Sequence, residues 1–144
     1  VQYNEFGMSA EYGQLKATPQ SGTALGSFEP TFQGGFIDFF WSPTGDGRVY
    51  NGKDGSFSRI VPKRTLGSDD GMGALTFGAR YDFLDLTDGT MDGGEQKGVT
   101  LQATWQPLGF LKFQADWSHL DIERSSSPLN GTADAVTIRS QIEW

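Results

Sequence analysis

The sequence predicts an all-β fold: an antiparallel transmembrane β-barrel segment of about six long strands, part of a larger barrel. Three observations carry this. Apolar and polar residues alternate with period 2 through stretches of about 10 to 14 residues, whereas globular strands average about 5 to 6 and a tilted membrane-spanning strand needs about 9 to 11. Aromatics make up 13% of the 144 residues and Gly reaches 20, the composition of a turn-rich β protein. The chain also closes on "AVTIRSQIEW", still alternating at its last atom, where a soluble domain usually frays into polar residues.

Taken in order, the expected strands cover roughly 3–16, 31–42, 74–86, 97–107, 110–123 and 134–144. The first sets Phe6, Met8, Ala10 and Tyr12 against Gly7, Ser9, Glu11 and Gly13. The second is less regular: Ile37, Phe39 and Trp41 share one face, but Phe36 and Phe40 fall on the other with Asp38. The third opposes Leu75, Phe77, Ala79 and Tyr81 to Thr76, Gly78, Arg80 and Asp82. The fourth opposes Val99, Leu101, Ala103 and Trp105 to Thr100, Gln102, Thr104 and Gln106. In the fifth, Leu111, Phe113, Ala115 and Trp117 oppose Lys112, Gln114, Asp116 and Ser118. In the last, Val136, Ile138, Ile142 and Trp144 oppose Thr137, Arg139, Gln141 and Glu143, with Ser140 interrupting the apolar series.

Alternation alone also fits a soluble sandwich with its apolar face in a core. Two features weigh against that. The polar faces are rich in Thr, Gln, Ser and Gly and poor in Lys and Glu, which suits a crowded wet lumen. Tyr12, Trp41, Tyr81, Trp105, Trp117 and Trp144 stand near strand ends, as an aromatic girdle at a membrane interface requires.

The connections differ in length. "PLGF" is a tight turn, while 87–96 ("TDGTMDGGEQ") and 124–133 ("RSSSPLNGTA") read as longer loops. Barrels of the outer membrane place short turns on the periplasmic side and long loops outside. A periplasmic C-terminus then makes "PLGF" periplasmic and the two loops external. The connection 43–73 breaks this pattern, because it should be a short periplasmic turn. It contains a hairpin-like stretch around "NGKDG", with arms near 48–50 and 56–61 that are too short to cross a bilayer. It is expected to lie outside the membrane or folded into the lumen. If it supplied two spanning strands, the chain would be a complete eight-stranded barrel.

Composition narrows the function. Cys is absent, which excludes disulfides and thiolate metal sites. The single His119 reads as a packing or surface residue, so no metal is expected. A net charge of -7 and a pI near 4.5 argue against nucleic acid as a partner. No apolar run is long enough for a transmembrane helix, and the mean hydropathy of -0.42 is blind to barrels, whose strands are only half apolar. No signal peptide opens the chain, so Val1 is expected to follow a cleaved leader or an internal start. There is no G-x-S-x-G, His-Glu metal motif, P-loop or Cys nucleophile, and neither an enzyme nor a cofactor is expected.

The stretches "GSFSRIVPKRTLG", "GALTFGARYDFLDLTDG", "GGEQKGVTLQATWQPLGFLKFQADWSHLDI" and "AVTIRSQIEW" resemble, in order and spacing, the phosphate-selective porin O and P family. "EYGQL" and "FIDFFWSPTGDGRVY" fit its preceding part more loosely. The resemblance implies a sixteen-stranded outer-membrane barrel, often trimeric, of which this chain is the C-terminal portion. The remaining strands would come from the parent chain or another polypeptide. Outer-membrane lipid and lipopolysaccharide would surround it. The terminal Val136, Ile138, Ile142 and Trp144 look like the signal read by the barrel-assembly machinery, with Trp144 in place of the more usual Phe.

A porin selects by pore size and lining charge. The family lines its pores with Arg and Lys, and strand parity turns Arg80, Arg139 and Lys112 inward. A guanidinium is always charged and grips oxyanions in a fork, so these three are the candidate pore cations. The competing expectation is that they merely pair with inward Asp82, Asp116, Glu11 or Glu143. Arg59, Lys63 and Arg64, in the family-like "SRIVPKR", are candidates for a basic cluster at the pore mouth, against the alternative of a solvated turn. The acids Asp85, Asp88, Asp92 and Glu95 gather in a loop without a calcium-loop pattern. The expected function is a channel for small solutes, with anions such as phosphate as one class. The alternative is a scaffolding barrel without conductance, favoured if 43–73 or the inward Phe36 and Phe40 fill the lumen.

Overall fold

The computed structural model describes all residues except 1, 4, 19–27, 48, 49, 54, 58, 126–129 and 144, and only the backbone of 2, 50, 51, 56 and 57. The strands are β1 (Gln2–Tyr3), β2 (Phe6–Lys16), β3 (Thr31–Trp41), β4 (Tyr50–Asn51), β5 (Ser56–Phe57), β6 (Ala74–Asp88), β7 (Met91–Leu108), β8 (Leu111–Glu123) and β9 (Gly131–Ile142). One antiparallel sheet runs in the order β1-β2-β3-β6-β7-β8-β9, and β4 pairs separately with β5. The six long strands follow one another as an up-and-down meander. The sheet does not close on itself: β1–β2 and β9 are its edges.

The long strands have 11, 11, 15, 18, 13 and 12 residues. Each reaches the length a tilted strand needs to cross a bilayer. Two expected loops are shorter than the sequence suggested. In 87–96 only Gly89 and Thr90 turn, because β6 runs to Asp88 and β7 starts at Met91. The polar run "TDGTMDGGEQ" forms strand here because a register shift between Asp85 and Thr87 absorbs the irregularity, and the backbone ladder itself needs no apolar side chains. Likewise β9 begins at Gly131, inside the expected loop 124–133. The tight turn is Gly109–Phe110, preceded by a second register shift between Trp105 and Leu108 that accommodates Pro107.

The faces are inverted relative to a soluble sheet. The apolar face is the open one: Phe39 is 50% exposed, Leu101 48% and Ile138 82%. The polar face is the covered one, with Thr76 and Gln106 buried and Thr100, Gln102, Gln114, Asp116 and Ser118 half-buried. Among the described residues, only Ile60 and Ala74 are buried hydrophobics. The described residues form no apolar core, unlike a sandwich, which interdigitates apolar side chains between its two sheets. A sheet that curls crowds side chains on its inner side and splays them on its outer side; here the polar side chains are the crowded ones.

The apolar band also crosses the strands obliquely. Val136, Trp117, Leu101 and Ala79 lie in one cross-strand row. On β9 the next outward residue beyond that row is Asp134, whereas on β6 the band continues past Ala79 to Phe83 before Asp85 ends it. Its upper edge thus climbs four residues, about 13 Å, across three strand spacings of about 4.8 Å, a slope of roughly 40°. That is the tilt of strands in a membrane barrel, about 35–45°.

Candidate functional site

The polar face is the candidate site. Its floor is a ladder of short polar side chains bonded across the strands. Ser9 Oγ donates to Asp38 Oδ1 at 2.8 Å, Thr100 and Ser118 share a hydrogen bond of 3.0 Å, and Asp116 accepts from Gln102 at 2.8 Å and from Gln114 at 3.0 Å. Thr, Ser and Gln suit this role because they satisfy one another sideways and still offer a polar atom to water.

The three expected inward cations all stand on this face, in two different settings. Arg80 is in register with Asp38 on one side and Thr100 on the other. Its guanidinium lies 3.8 Å above the Phe36 ring, and its Nε is 3.6 Å from Asp82 Oδ1. Its charge is offset by that carboxylate and held by the ring. Arg139 faces Gln114, and Lys112 faces Gln141, so the two are diagonal neighbours across β8 and β9. Neither has an acidic partner among the described residues. Of the four acids expected to neutralise the inward cations, only Asp82 does so. Asp116 is taken by amides, Glu143 meets Arg59 and Gln141, and Glu11 lies opposite Phe36.

The connection 43–73 leaves β3 and returns at β6, its neighbour in the sheet, yet in between it travels far. Arg59 Nη1 is 3.3 Å from Oε2 of Glu143, beyond the end of β9. The chain then comes back: Leu66 N donates to Pro107 O at 2.8 Å, Gly73 N to Arg64 O at 3.0 Å, and Trp105 Nε1 to Met72 O at 2.8 Å. Gly73, at φ 83°, lies where a Cβ would stand 2.5 Å from Gln106 O, so only glycine fits this return. The segment therefore crosses the ends of β7 and β8. Ala74, Thr76 and Gln106 are buried at that end. Lys63 Nζ donates to Gly45 O, and Lys63 N to the buried Asp46 at 2.8 Å. Arg59, Lys63 and Arg64 thus all belong to the strap that crosses one mouth of the sheet. Arg64 has no acidic partner among the described residues.

The girdle candidates Tyr12, Trp41, Tyr81, Trp105 and Trp117 all lie on the apolar face. Trp41 stacks on Phe6 at 6.3 Å and Trp105 on Phe113 at 5.7 Å, toward the end that carries the strap. Tyr12 meets Phe83 at 6.4 Å and Trp117 stacks on His119 at 6.1 Å, toward the other end. His119 Nδ1 is also 3.0 Å from Asp134. Of the C-terminal series, Val136, Ile138 and Ile142 point outward and are exposed; Trp144 lies outside the described residues. Of the acids of 85–95, Asp88 accepts from Thr31 N at 2.7 Å, Asp85 accepts from Thr87 N at 2.9 Å, and Glu95 pairs with Lys97 at 3.5 Å. No group of three metal-ligating side chains forms among the described residues.

Sequence reasoning missed two features of this face. One is the Arg59–Glu143 link, which no local pattern announces. The other is an apolar hollow of about 530 Å³ on the polar side of β2, β3 and β6. Its only sequence signal is the broken alternation at Phe36 and at Phe83–Leu84. A larger hollow, about 780 Å³, lies among Phe6, Met8, Phe39, Phe77 and Leu101 on the apolar face, away from the polar path.

Comparison with known proteins follows the same lines. A family model described as phosphate-selective porin O and P matches residues 1–144. An uncharacterized protein of Caulobacter vibrioides is 41% identical over 105 residues, which is 73% of this chain and 21% of that protein. The chain thus spans about a fifth of the length of that relative. No solved structure matches.

Proposed function

This chain belongs to the phosphate-selective porin O and P family, a family of the bacterial outer membrane, and from that membership we propose that it forms part of the wall of a diffusion channel for small solutes, anions such as phosphate among them. The observation that carries the reading is the inverted sheet: an exposed apolar face at membrane-spanning length over a half-buried face of Thr, Gln, Ser and Asp. In lipid the open edges of β2 and β9 are untenable, because each unpaired N–H and C=O would be left without water. Further strands, from the parent chain or another polypeptide, close the barrel to about sixteen strands. The short Gly109–Phe110 turn and the strap lie on the periplasmic side with the C-terminus, and β6–β7 and β8–β9 meet outside.

Arg139 and Lys112 serve as the anion-attracting pair, since no carboxylate among the described residues neutralises them, while Arg80 contributes less beside Asp82. Arg59, Lys63 and Arg64 add positive charge at the periplasmic mouth, where low-dielectric walls focus it. The barrel does this by position and charge alone, with no covalent step. Reconstitution of the full-length protein in planar bilayers under a potassium chloride gradient tests the reading. Discrete conductance steps with a reversal potential favouring chloride, suppressed competitively by phosphate, are expected. Folded protein without conductance would instead establish the scaffolding barrel.

A further inference from the structure

We propose that the hollow on the polar face of β2, β3 and β6 is a binding site for a neutral sugar ring, a solute class distinct from the anions of the channel reading on which this inference rests. The hollow, about 530 Å³, is within the range of small-molecule sites. Its sides are Leu15, Phe32, Phe36, Leu84 and Leu86, five apolar side chains on a mostly polar face. Leu84, on a strand paired on both sides, is exposed, so the surface is open to solute. On the floor Gly13 leaves bare backbone that a flat ring can approach, while its cross-strand partner Gly34 lies under the Leu84 side chain. A Cβ at Gly13 would meet no atom within 4 Å, so the missing side chain leaves accessible room.

The rim decides the ligand class. Arg80, Asp82 and Glu11 border the hollow and sum to one net negative charge, which disfavours an organic anion. A cation would seek the Phe36 face, but the Arg80 guanidinium already occupies it at 3.8 Å and would repel a second positive charge. A neutral ring with one apolar C–H face and a hydroxyl edge meets neither objection. Its C–H face covers Phe32 and the Leu side chains, leaving the Phe36 ring to Arg80. Its hydroxyls donate to the Asp82 and Glu11 carboxylates and accept from Arg80, so no polar group is left unpaired.

Calorimetric titration of the full-length protein in detergent, with maltose, sodium benzoate and choline chloride as probes, tests this. Saturable maltose binding is expected, with benzoate and choline showing none. Gly13→Val puts a side chain on the floor, where an added Cβ meets no atom within 4 Å, and is expected to weaken maltose binding by at least about tenfold, roughly 1.4 kcal/mol. Phe32→Ala should weaken it similarly, and heat-modifiable gel mobility confirms that both variants fold. Absence of maltose binding, indifference to both substitutions, or a preference for benzoate or choline overturns the inference. Conductance is read separately: an open channel that ignores maltose sinks the sugar site and leaves the porin, and maltose binding without conductance does the reverse.

Discussion

Arg59 and Glu143, 84 residues apart in the chain, meet at 3.3 Å and tie the connection between two central strands to the far edge of the sheet. The contact is half in water, with Arg59 61% exposed, so its direct stabilisation is under about 1 kcal/mol. Its larger consequence is electrostatic, since it cancels one positive charge at a mouth already holding Lys63 and Arg64. Glu143→Gln is expected to leave folding unchanged and to raise anion selectivity; Arg59→Gln is expected to lower it. Reversal potentials of both variants in the same salt gradient read the two signs, and equal shifts would contradict the pairing.

The inward cations differ in their neighbours, and their removal should differ accordingly. Arg139→Gln and Lys112→Gln each remove a charge that has no carboxylate partner among the described residues, and each should cut chloride-over-potassium permeability several-fold. Arg80→Gln likewise removes one unit and leaves Asp82 uncompensated, whereas removing both partners, Arg80→Gln with Asp82→Asn, leaves the net charge unchanged and should shift selectivity least. The ranking, measured at two ionic strengths, checks the assignment, because screening shrinks all the shifts together.

The inversion of the faces is tested at two adjacent positions. Ile138 points outward and Thr137 inward on β9. A cationic residue on the lipid face near mid-bilayer costs about 2–4 kcal/mol. Ile138→Arg should therefore destabilise the folded barrel by that amount, and Thr137→Arg by well under about 1 kcal/mol. Urea titrations in lipid vesicles measure both. Comparable losses would mean the faces are assigned wrongly.

Two glycines should respond differently to Ala. At Gly35 an added Cβ would stand 2.6 Å from the Glu11 carbonyl oxygen, a backbone atom fixed in the sheet. At Gly7 it would stand 2.0 Å from Cε1 of Phe40, the far side of a ring that can swing. Gly35→Ala is expected to cost about 1–3 kcal/mol as overpacking against an immovable neighbour. Gly7→Ala should cost less and report instead as a changed inner-wall contour, read as altered single-channel conductance.

Much of the fold was legible because period-2 alternation is a local property. Val136 to Ile142 and Leu111 to Trp117 declare their faces without any partner, and the antiparallel meander follows from the order of such segments. The inward positions of Arg80, Lys112 and Arg139 came with that parity. The polar run 87–96 misled, because ladder hydrogen bonds satisfy the backbone whatever the side chains are, and a register shift at Asp85 absorbed the irregular residues.

The sequence by itself determined strand identity, strand length and which face is apolar, since each depends on residues one or two positions apart. Only the tertiary structure decided which charges remain uncompensated. Arg80 gains Asp82 while Arg139 and Lys112 stand in register with Gln114 and Gln141, and Glu143 turns to Arg59 from a segment more than half the chain away. Coulomb energy depends on separation in space, which strand register and the return path of the strap fix and which spacing along the chain does not encode.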